Sequence, residues 1–189
     1  MKKIDTMNWK AFKIDDLFVK LELKCLRPGF NKTLDVSTER TREFNLPLVN
    51  AKHFNNGIMY YGRASDFESA EMTLDIVKNG AIATGDVYAQ PQKTGVLWDA
   101  YLIKPRVPIK SKYVLLFLSA CLEKAIKDKF GYDDKCIWKK VRQLTFLLPA
   151  TMTGENECQP DYAYMLDYME KIETRVKSAI DLLTIANKV

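Results

Sequence analysis

The chain has 189 residues, of which 47% are hydrophobic and 28% are charged. These values are ordinary for a folded globular protein and exclude a wholly disordered chain. The most apolar stretch, 113–120, is too short to span a bilayer, and the charged start lacks the apolar core of a signal peptide, so we expect a cytoplasmic protein.

The net charge of +5 is unevenly distributed along the chain. Residues 1–150 carry 25 lysines and arginines against 17 acidic residues, a net charge of +8, whereas residues 151–189 carry 4 against 7, a net charge of −3. A basic body followed by an acidic tail indicates a polyanionic partner for the body. An ordinarily solvated basic surface explains the same composition.

The first 108 residues predict short strands separated by turns. The predicted strands are 10–14, 19–23, 46–49, 58–61, 72–77, 81–88 and 96–103. The triplet Asn55-Asn56-Gly57 favours a tight turn between two of them, because asparagine and glycine tolerate positive φ. This spacing is typical of a curved, partly barrel-like and mostly antiparallel sheet with packed helices, and therefore of the α+β class.

The hydrophobic period becomes helical after Ser111, which is a suitable N-cap. A short apolar run at 144–148 is stopped by Pro149, and residues 151–159 are predicted to be a linker. Pro160 is predicted to open a long helix without an internal proline or glycine. The predicted organisation is thus a globular domain at 1–150, a linker at 151–159 and a helix at 160–188.

The last helix has apolar residues at every a and d position of nearly four heptads. The a positions are Tyr162, Met169, Val176 and Leu183, and the d positions are Met165, Ile172, Ala179 and Ala186. Such a seam predicts a coiled coil or a helix laid along a partner. At 1.5 Å per residue the helix would be roughly 40 Å long. The alternative is a terminal helix folded back on its own domain.

Enzyme signatures are missing from the sequence. There is no phosphate-binding glycine loop, no dinucleotide-binding glycine motif and no nucleophile elbow. The four cysteines contain no Cys-x-x-Cys pair and His53 is the one histidine, so we expect no zinc site and no cofactor in this chain. A metal-dependent nuclease site at 133–135 with Asp161 is a minor alternative.

Polar residues concentrate at predicted turns of the basic body and form the candidate DNA-binding set. The set consists of Lys52, His53, Asn55, Asn56, Arg63, Tyr88, Gln90, Gln92, Lys93, Lys139, Lys140 and Arg142. Amides and arginine form paired hydrogen bonds with base edges, and lysine neutralises phosphates. Surface solvation is the competing interpretation, and Trp138, beside the last cluster, is interpreted as a core anchor.

Several segments in order resemble one protein family. They are Trp9-Lys10-Ala11-Phe12-Lys13-Ile14-Asp15-Asp16-Leu17-Phe18, Leu46-Pro47-Leu48-Val49, Asn56-Gly57-Ile58, 76–85, Leu115-Leu116-Phe117-Leu118, Leu147-Leu148-Pro149 and Pro160-Asp161-Tyr162. With these segments the chain resembles the DNA-specificity (S) subunits of type I restriction–modification systems, and is similar to target-recognition subunits of some type IIB enzymes. The resemblance covers nearly the whole chain.

The resemblance implies a target-recognition domain followed by a spacer helix. In that family two such units occur in tandem, their helices pack as an antiparallel coiled coil, and each globule reads half of a split DNA target. The subunit is not catalytic. It directs a modification subunit, which methylates adenine with S-adenosylmethionine, and a restriction subunit, which translocates and cuts.

The sequence contains one domain and one helix, about half of the usual S subunit. The resemblance therefore implies a homodimer of half subunits, and twofold symmetry predicts a palindromic split target. The alternative function is a protein–protein adaptor whose helix docks a partner while its globule binds no DNA.

Overall fold

The computed structural model describes residues 4–131, 133–155 and 157–186, without the side chains of 185 and 186. Of these residues, those between 11 and 147 form one compact unit, and those before and after this range form a second. The strands are β1 (Trp9–Lys13), β2 (Phe18–Lys20), β3 (Val36–Ser37), β4 (Leu46–Val49), β5 (Ile58–Gly62), β6 (Thr73–Val77), β7 (Val87–Gln90), β8 (Gly95–Val96), β9 (Ala100–Pro105), β10 (Thr145–Met152) and β11 (Cys158–Pro160). The helices are α1 (Ile14–Leu17), α2 (Lys32–Asp35), α3 (Lys112–Ile126), α4 (Trp138–Val141) and α5 (Tyr162–Ala186).

The larger unit is built around an antiparallel sheet in the order β2-β9-β6-β7. All five residues of β6 are buried, as expected for a strand in the middle of a sheet that is covered on both faces. The α3 helix contacts β7 and β6. Its N-cap is Ser111, whose hydroxyl accepts the N–H of Tyr113 at 3.2 Å, so the predicted start of this helix is confirmed.

A second sheet of the same unit has the order β3-β5-β4-β8, with β4 and β8 parallel and the other pairs antiparallel. The predicted turn at Asn55-Asn56-Gly57 is confirmed as a short 3-10 turn that joins β4 to β5. Val49 of this sheet packs in one apolar cluster with Ala100 and Leu102 of the first sheet. The two sheets therefore share a core, and the β4–β5 turn lies beside it.

The α+β class is confirmed, but the strands form separate sheets, and no closed barrel is present in the described part of the chain. Three predicted strands are wrong in part, and the first of them, 19–23, is a strand only as far as Lys20, where β2 ends. Residues 81–85 form a turn in which Gly85 has a φ of +82°, so β7 begins only at Val87. The run 96–103 is interrupted by a turn at 98–99, which separates β8 and β9 into different sheets.

The third sheet has the order β1-β10-β11. Pro149 does not end the strand as predicted, because β10 continues to Met152 and the carbonyl of Pro149 accepts the N–H of Asp161 at 2.8 Å. The segment predicted as a linker contains the end of β10 and the start of β11, and these two strands pair in an antiparallel manner. The α5 helix then begins at Tyr162 rather than at Pro160.

Candidate nucleic-acid interface

One face of β7 carries three polar side chains in a row. Asp86 directly precedes the strand, and Tyr88 and Gln90 follow at alternate positions. Because successive side chains of a strand point to opposite faces, these three point the same way, whereas Val87 and Ala89 point to the other face. We name Asp86, Tyr88 and Gln90 the β7 clamp.

The β7 clamp holds the loop that joins β4 to β5. Nδ1 of His53 lies 2.6 Å from a carboxylate oxygen of Asp86. The backbone N–H of Phe54 donates to the hydroxyl of Tyr88 at 2.8 Å. The Gln90 side-chain amide donates to the carbonyl of Asn56 at 2.6 Å. Each clamp residue therefore fixes a different point of residues 53–57, the segment that we name the tip loop.

The tip loop has an unusual backbone. Phe54, Asn55, Asn56 and Gly57 all have positive φ, at 66°, 49°, 51° and 72°. Phe54 also has a ψ of −171°, which places it in a region that is essentially restricted to glycine. Such conformations cost about 1–3 kcal/mol each and persist only where the surroundings enforce them. The β7 clamp supplies that enforcement.

Asp86 is the centre of the polar network below the tip loop and is only 1% exposed. Its carboxylate forms an ion pair with Lys127, at the end of α3, and accepts a hydrogen bond from the Tyr88 hydroxyl at 3.0 Å. Lys127 also donates to the carbonyl of Ile82 at 2.7 Å. A buried carboxylate is tolerated when it is paired and hydrogen-bonded, so this network fastens the tip loop to α3.

Asp75 of β6 lies directly opposite Tyr88 and is completely buried. Neither of its carboxylate oxygens has a hydrogen-bond partner among the described residues. Burial, with a smaller contribution from Asp86, raises the pKa of Asp75 well above its usual value. A Cβ at Gly57 would overlap this carboxyl group, so the tip loop closes over Asp75 only because residue 57 is glycine.

The structure brings together some of the candidate residues and separates others. His53, Asn56, Tyr88 and Gln90 meet at the tip loop, although Gln90 is 1% exposed and supports the loop from within. The candidates with exposed side chains in and around this site are Lys52, Asn55, Asn56, Gln92 and Lys93.

Arg63 belongs to a different cluster. Its guanidinium bonds Glu43 at 2.6 Å and both Asp35 and Asp66 at 3.3 Å, and it lies 4.4 Å from the centre of the Phe44 ring. Asp35 precedes β3, Glu43 follows β3, and Asp66 follows β5. The contacts of Arg63 therefore join these three segments. Arg63 is therefore placed as an internal cross-link, and a DNA contact would require it to break several ion pairs.

The third candidate group also has partners within the chain. Arg142 forms an ion pair with Asp15, and the hydrogen bond from Arg142 is the largest cause that lowers the pKa of Asp15. Lys140 pairs with Asp134, while the side chain of Lys139 is exposed. Beside them, Trp138 is half-buried and packs edge-on against Tyr101, with ring centroids 6.3 Å apart, which supports its interpretation as an anchor.

Sequence reasoning missed Asp75, Asp86, Phe54 and Lys127. A signal for the first two was present. Asp86, Tyr88 and Gln90 alternate with Val87 and Ala89, which is the pattern of a strand with one polar face, and Asp75 falls in the neighbouring predicted strand. Phe54 was missed because the candidate residues were selected as polar groups at predicted turns, and its side chain has no hydrogen-bonding atom.

The predicted helix seam is covered in its first half only. Met165 is fully buried, and Tyr162, Met169 and Ile172 are half-buried. The later seam residues are exposed: Val176 at 52%, Leu183 at 64%, and Ala179. The side chain of Ala186 lies outside the described residues. The structure therefore leaves an apolar strip along the second half of α5.

Comparison with solved structures identifies the fold. No protein-family model and no curated protein matches the sequence. The S subunit of a type I restriction–modification system from M. genitalium matches 100% of this chain with a TM-score of 0.58 and 17% identity. The HsdS subunit from Thermoanaerobacter tengcongensis matches 94% with a TM-score of 0.51 and 13% identity. A chain from a structure of type I restriction–modification complex assembly and conformational transition matches 94%, with a TM-score of 0.53 and 14% identity.

The chain therefore has the fold of an S-subunit target-recognition domain. It spans 45%, 40% and 41% of the lengths of these three chains, so it corresponds to less than half of each. Within the residues that the structure describes, no helix is both long enough and apolar enough to cross a membrane.

Proposed function

We propose that this chain is a non-catalytic, sequence-specific DNA-binding specificity subunit of a restriction–modification system. The observation that carries the proposal is the S-subunit fold, which extends over at least 94% of the chain in three comparisons. The charge distribution agrees with it, since residues 11–147 carry 22 lysines and arginines against 16 acidic residues, a net charge of +6. A basic surface favours phosphate contacts through counterion release.

The tip loop and the exposed residues around it are the proposed contact surface. Lys52 and Lys93 would neutralise phosphates, and the exposed polar groups of Asn55, Asn56 and Gln92 would face base edges. Preorganisation supports this assignment, because a loop that is already held in one conformation loses less entropy on binding. The β7 clamp provides that preorganisation.

The proposed assembly on double-stranded DNA has three kinds of protein partner. An adenine methyltransferase subunit, which would hold S-adenosylmethionine, is directed to a split DNA target, and a restriction subunit acts on the same complex in the cytoplasm. A second copy of this chain would cover the exposed strip of α5 in an antiparallel helix pair. Two identical domains would then read a palindromic split target.

A protein–protein adaptor is the second candidate function. The exposed strip of α5, with Val176, Ile180 and Leu183 each more than half exposed, favours it, because such a strip docks a partner whether or not the globular unit binds DNA. The two functions differ in whether the basic residues near the tip loop bind DNA.

Charge reversal separates the two functions. We expect Lys52→Glu with Lys93→Glu to weaken retention of duplex DNA while leaving assembly with the methyltransferase subunit intact. The matched control is Lys104→Glu with Lys110→Glu, which changes the net charge equally at exposed positions of β9 and the segment after it. Equal DNA binding by both double variants and the wild type would contradict the proposed surface, and absence of DNA binding by the wild-type assembly would favour the adaptor.

A further inference from the structure

Phe54 has a solvent-exposed side chain and a backbone conformation that is strained for any residue other than glycine. Its side chain is 71% exposed, although it is among the largest apolar groups of the chain. Its backbone occupies the region that glycine occupies without strain. The stability of the fold does not explain a phenylalanine at this position, because glycine would relieve the backbone strain and a polar side chain would be better solvated.

The surroundings nevertheless hold Phe54 firmly. Its N–H donates to Tyr88, and the adjacent residue His53 is tied to Asp86. The His53 and Phe54 rings are in contact, with centroids 3.9 Å apart at an angle of 47°. Gln90 fixes the far side of the loop through the carbonyl of Asn56. A strained, solvent-facing aromatic ring is therefore presented on a rigid support.

We propose that Phe54 is an apolar wedge that enters duplex DNA at a base step, unstacks it in part and bends the duplex. This inference rests on the proposed DNA-binding function. Proteins that bend DNA insert phenylalanine or similar apolar side chains in this way, and the bend extends the contact with flanking basic residues. Lys52, exposed two residues before the ring, is placed to meet a phosphate beside the step.

The chemistry of the site distinguishes a wedge from a base-reading group. The Phe54 side chain has no hydrogen-bonding atom, so it recognises how easily a step is deformed rather than a pattern of donors and acceptors. Steps that unstack readily, such as TA and CA, are then preferred at the position that the ring enters. The exposed amides nearby remain available for direct readout.

The experiment uses the full chain and duplexes that it enriches from a randomised duplex library, labelled at both ends for energy transfer. Wild type is compared with Phe54→Ala, Phe54→Leu and Leu34→Ala, the last being a control with a similarly exposed apolar residue, at 66%, on α2. We expect Phe54→Ala to bind about tenfold more weakly, as for loss of one aromatic–base stack, and to abolish the bend. Phe54→Leu keeps a bend, and Leu34→Ala behaves as wild type.

The experiment distinguishes failure of the proposed wedge from failure of the proposed DNA-binding function. If wild type enriches specific duplexes and Phe54→Ala binds and bends them equally, the wedge is overturned while the DNA-binding function stands. If wild type, with or without the methyltransferase subunit, enriches no duplex, both fail. Since Phe54 is exposed, circular dichroism of Phe54→Ala should match that of wild type, which ties a binding defect to the ring.

Discussion

The hydroxyl of Tyr88 accepts the backbone N–H of Phe54 at 2.8 Å and donates to the carboxylate of Asp86 at 3.0 Å. This one side chain thereby connects a strained surface residue to a buried ion pair. Burial is the largest cause that raises the pKa of Tyr88, so the hydroxyl stays protonated and keeps both bonds at neutral pH. The arrangement makes Tyr88 a positioning residue for the tip loop.

Replacing Tyr88 with phenylalanine removes both hydrogen bonds and leaves the ring. We expect Tyr88→Phe to lower the free energy of unfolding by about 2 kcal/mol, measured in urea, because each of the two lost hydrogen bonds typically contributes about half of that. DNA affinity should fall further than this stability change explains, since the tip loop loses its support. Tyr61→Phe on β5 is the control, and equal loss of affinity in both variants would contradict the positioning role.

Two glycines with positive φ test the contact between the tip loop and Asp75. Gly57→Ala and Gly29→Ala both place a Cβ in a left-handed conformation, which costs about 1–2 kcal/mol. At Gly29 no atom beyond the adjacent residues lies within 4 Å of that Cβ, whereas at Gly57 it overlaps the Asp75 carboxyl group. Urea denaturation should therefore show the larger loss for Gly57→Ala, and equal losses would refute the close packing.

Asp75 predicts a pH dependence of stability with a definite sign. Because its pKa is raised in the folded state, the folded protein binds the proton more tightly than the unfolded chain. This contribution to stability is complete below the ordinary carboxyl pKa of about 3.9 and is lost as the pH rises towards the folded pKa. Between pH 4 and 7, Asp75→Asn should gain stability relative to wild type.

Asp35 serves as the control with the opposite sign. The N–H of Asn31 and the guanidinium groups of Arg27 and Arg63 hold the pKa of Asp35 below its usual value. Its contribution is therefore present above the ordinary pKa and lost as the pH falls, so Asp35→Asn should cost stability at pH 7 and progressively less in acid. Parallel pH profiles for the two variants would contradict the assignment of Asp75.

The exposed strip of α5 is tested by a charge placed within it. Val176→Asp should weaken self-association by burying an unpaired carboxylate in the proposed seam, and sedimentation velocity measures this as a shift from dimer to monomer. Ser178→Asp introduces the same charge two residues away, outside the a and d positions, and should leave the dimer intact. A wild-type monomer, or an undisturbed dimer in Val176→Asp, argues against a homodimer through this strip.

Local signals in the sequence were sufficient for some elements. The Asn55-Asn56-Gly57 turn was predicted because residues that tolerate positive φ mark turns directly, and Ser111 marked the start of α3 as an N-cap. The run 96–103 was misread because the break at Trp98-Asp99 carries no glycine or proline. The continuation of β10 through Pro149 depends on the antiparallel partner β11, which is a pairing that local propensity does not contain.

The candidate site, like the fold, was predicted from the sequence only in part. Its exposed polar residues, and His53, Tyr88 and Gln90 of the supporting network, were found from their residue types. The exposed Phe54 and the buried Asp86 with its partner Lys127 were not. Asp86 acquires its role from Lys127, directly after α3 and 41 residues away, and from His53 in the preceding hairpin. Such contacts depend on the packing of α3 and the tip loop against β7, so sequence spacing alone does not disclose them.

The most direct test of the central claim is the salt dependence of duplex binding by the full chain with its methyltransferase partner. A basic unit that neutralises phosphates releases counterions, so log K should fall linearly with log salt concentration, by about one unit of slope for each phosphate contacted. The Lys52→Glu, Lys93→Glu variant should have a shallower slope by about two. An assembly that retains no duplex even in dilute buffer, or that binds equally at all salt concentrations, would contradict the account.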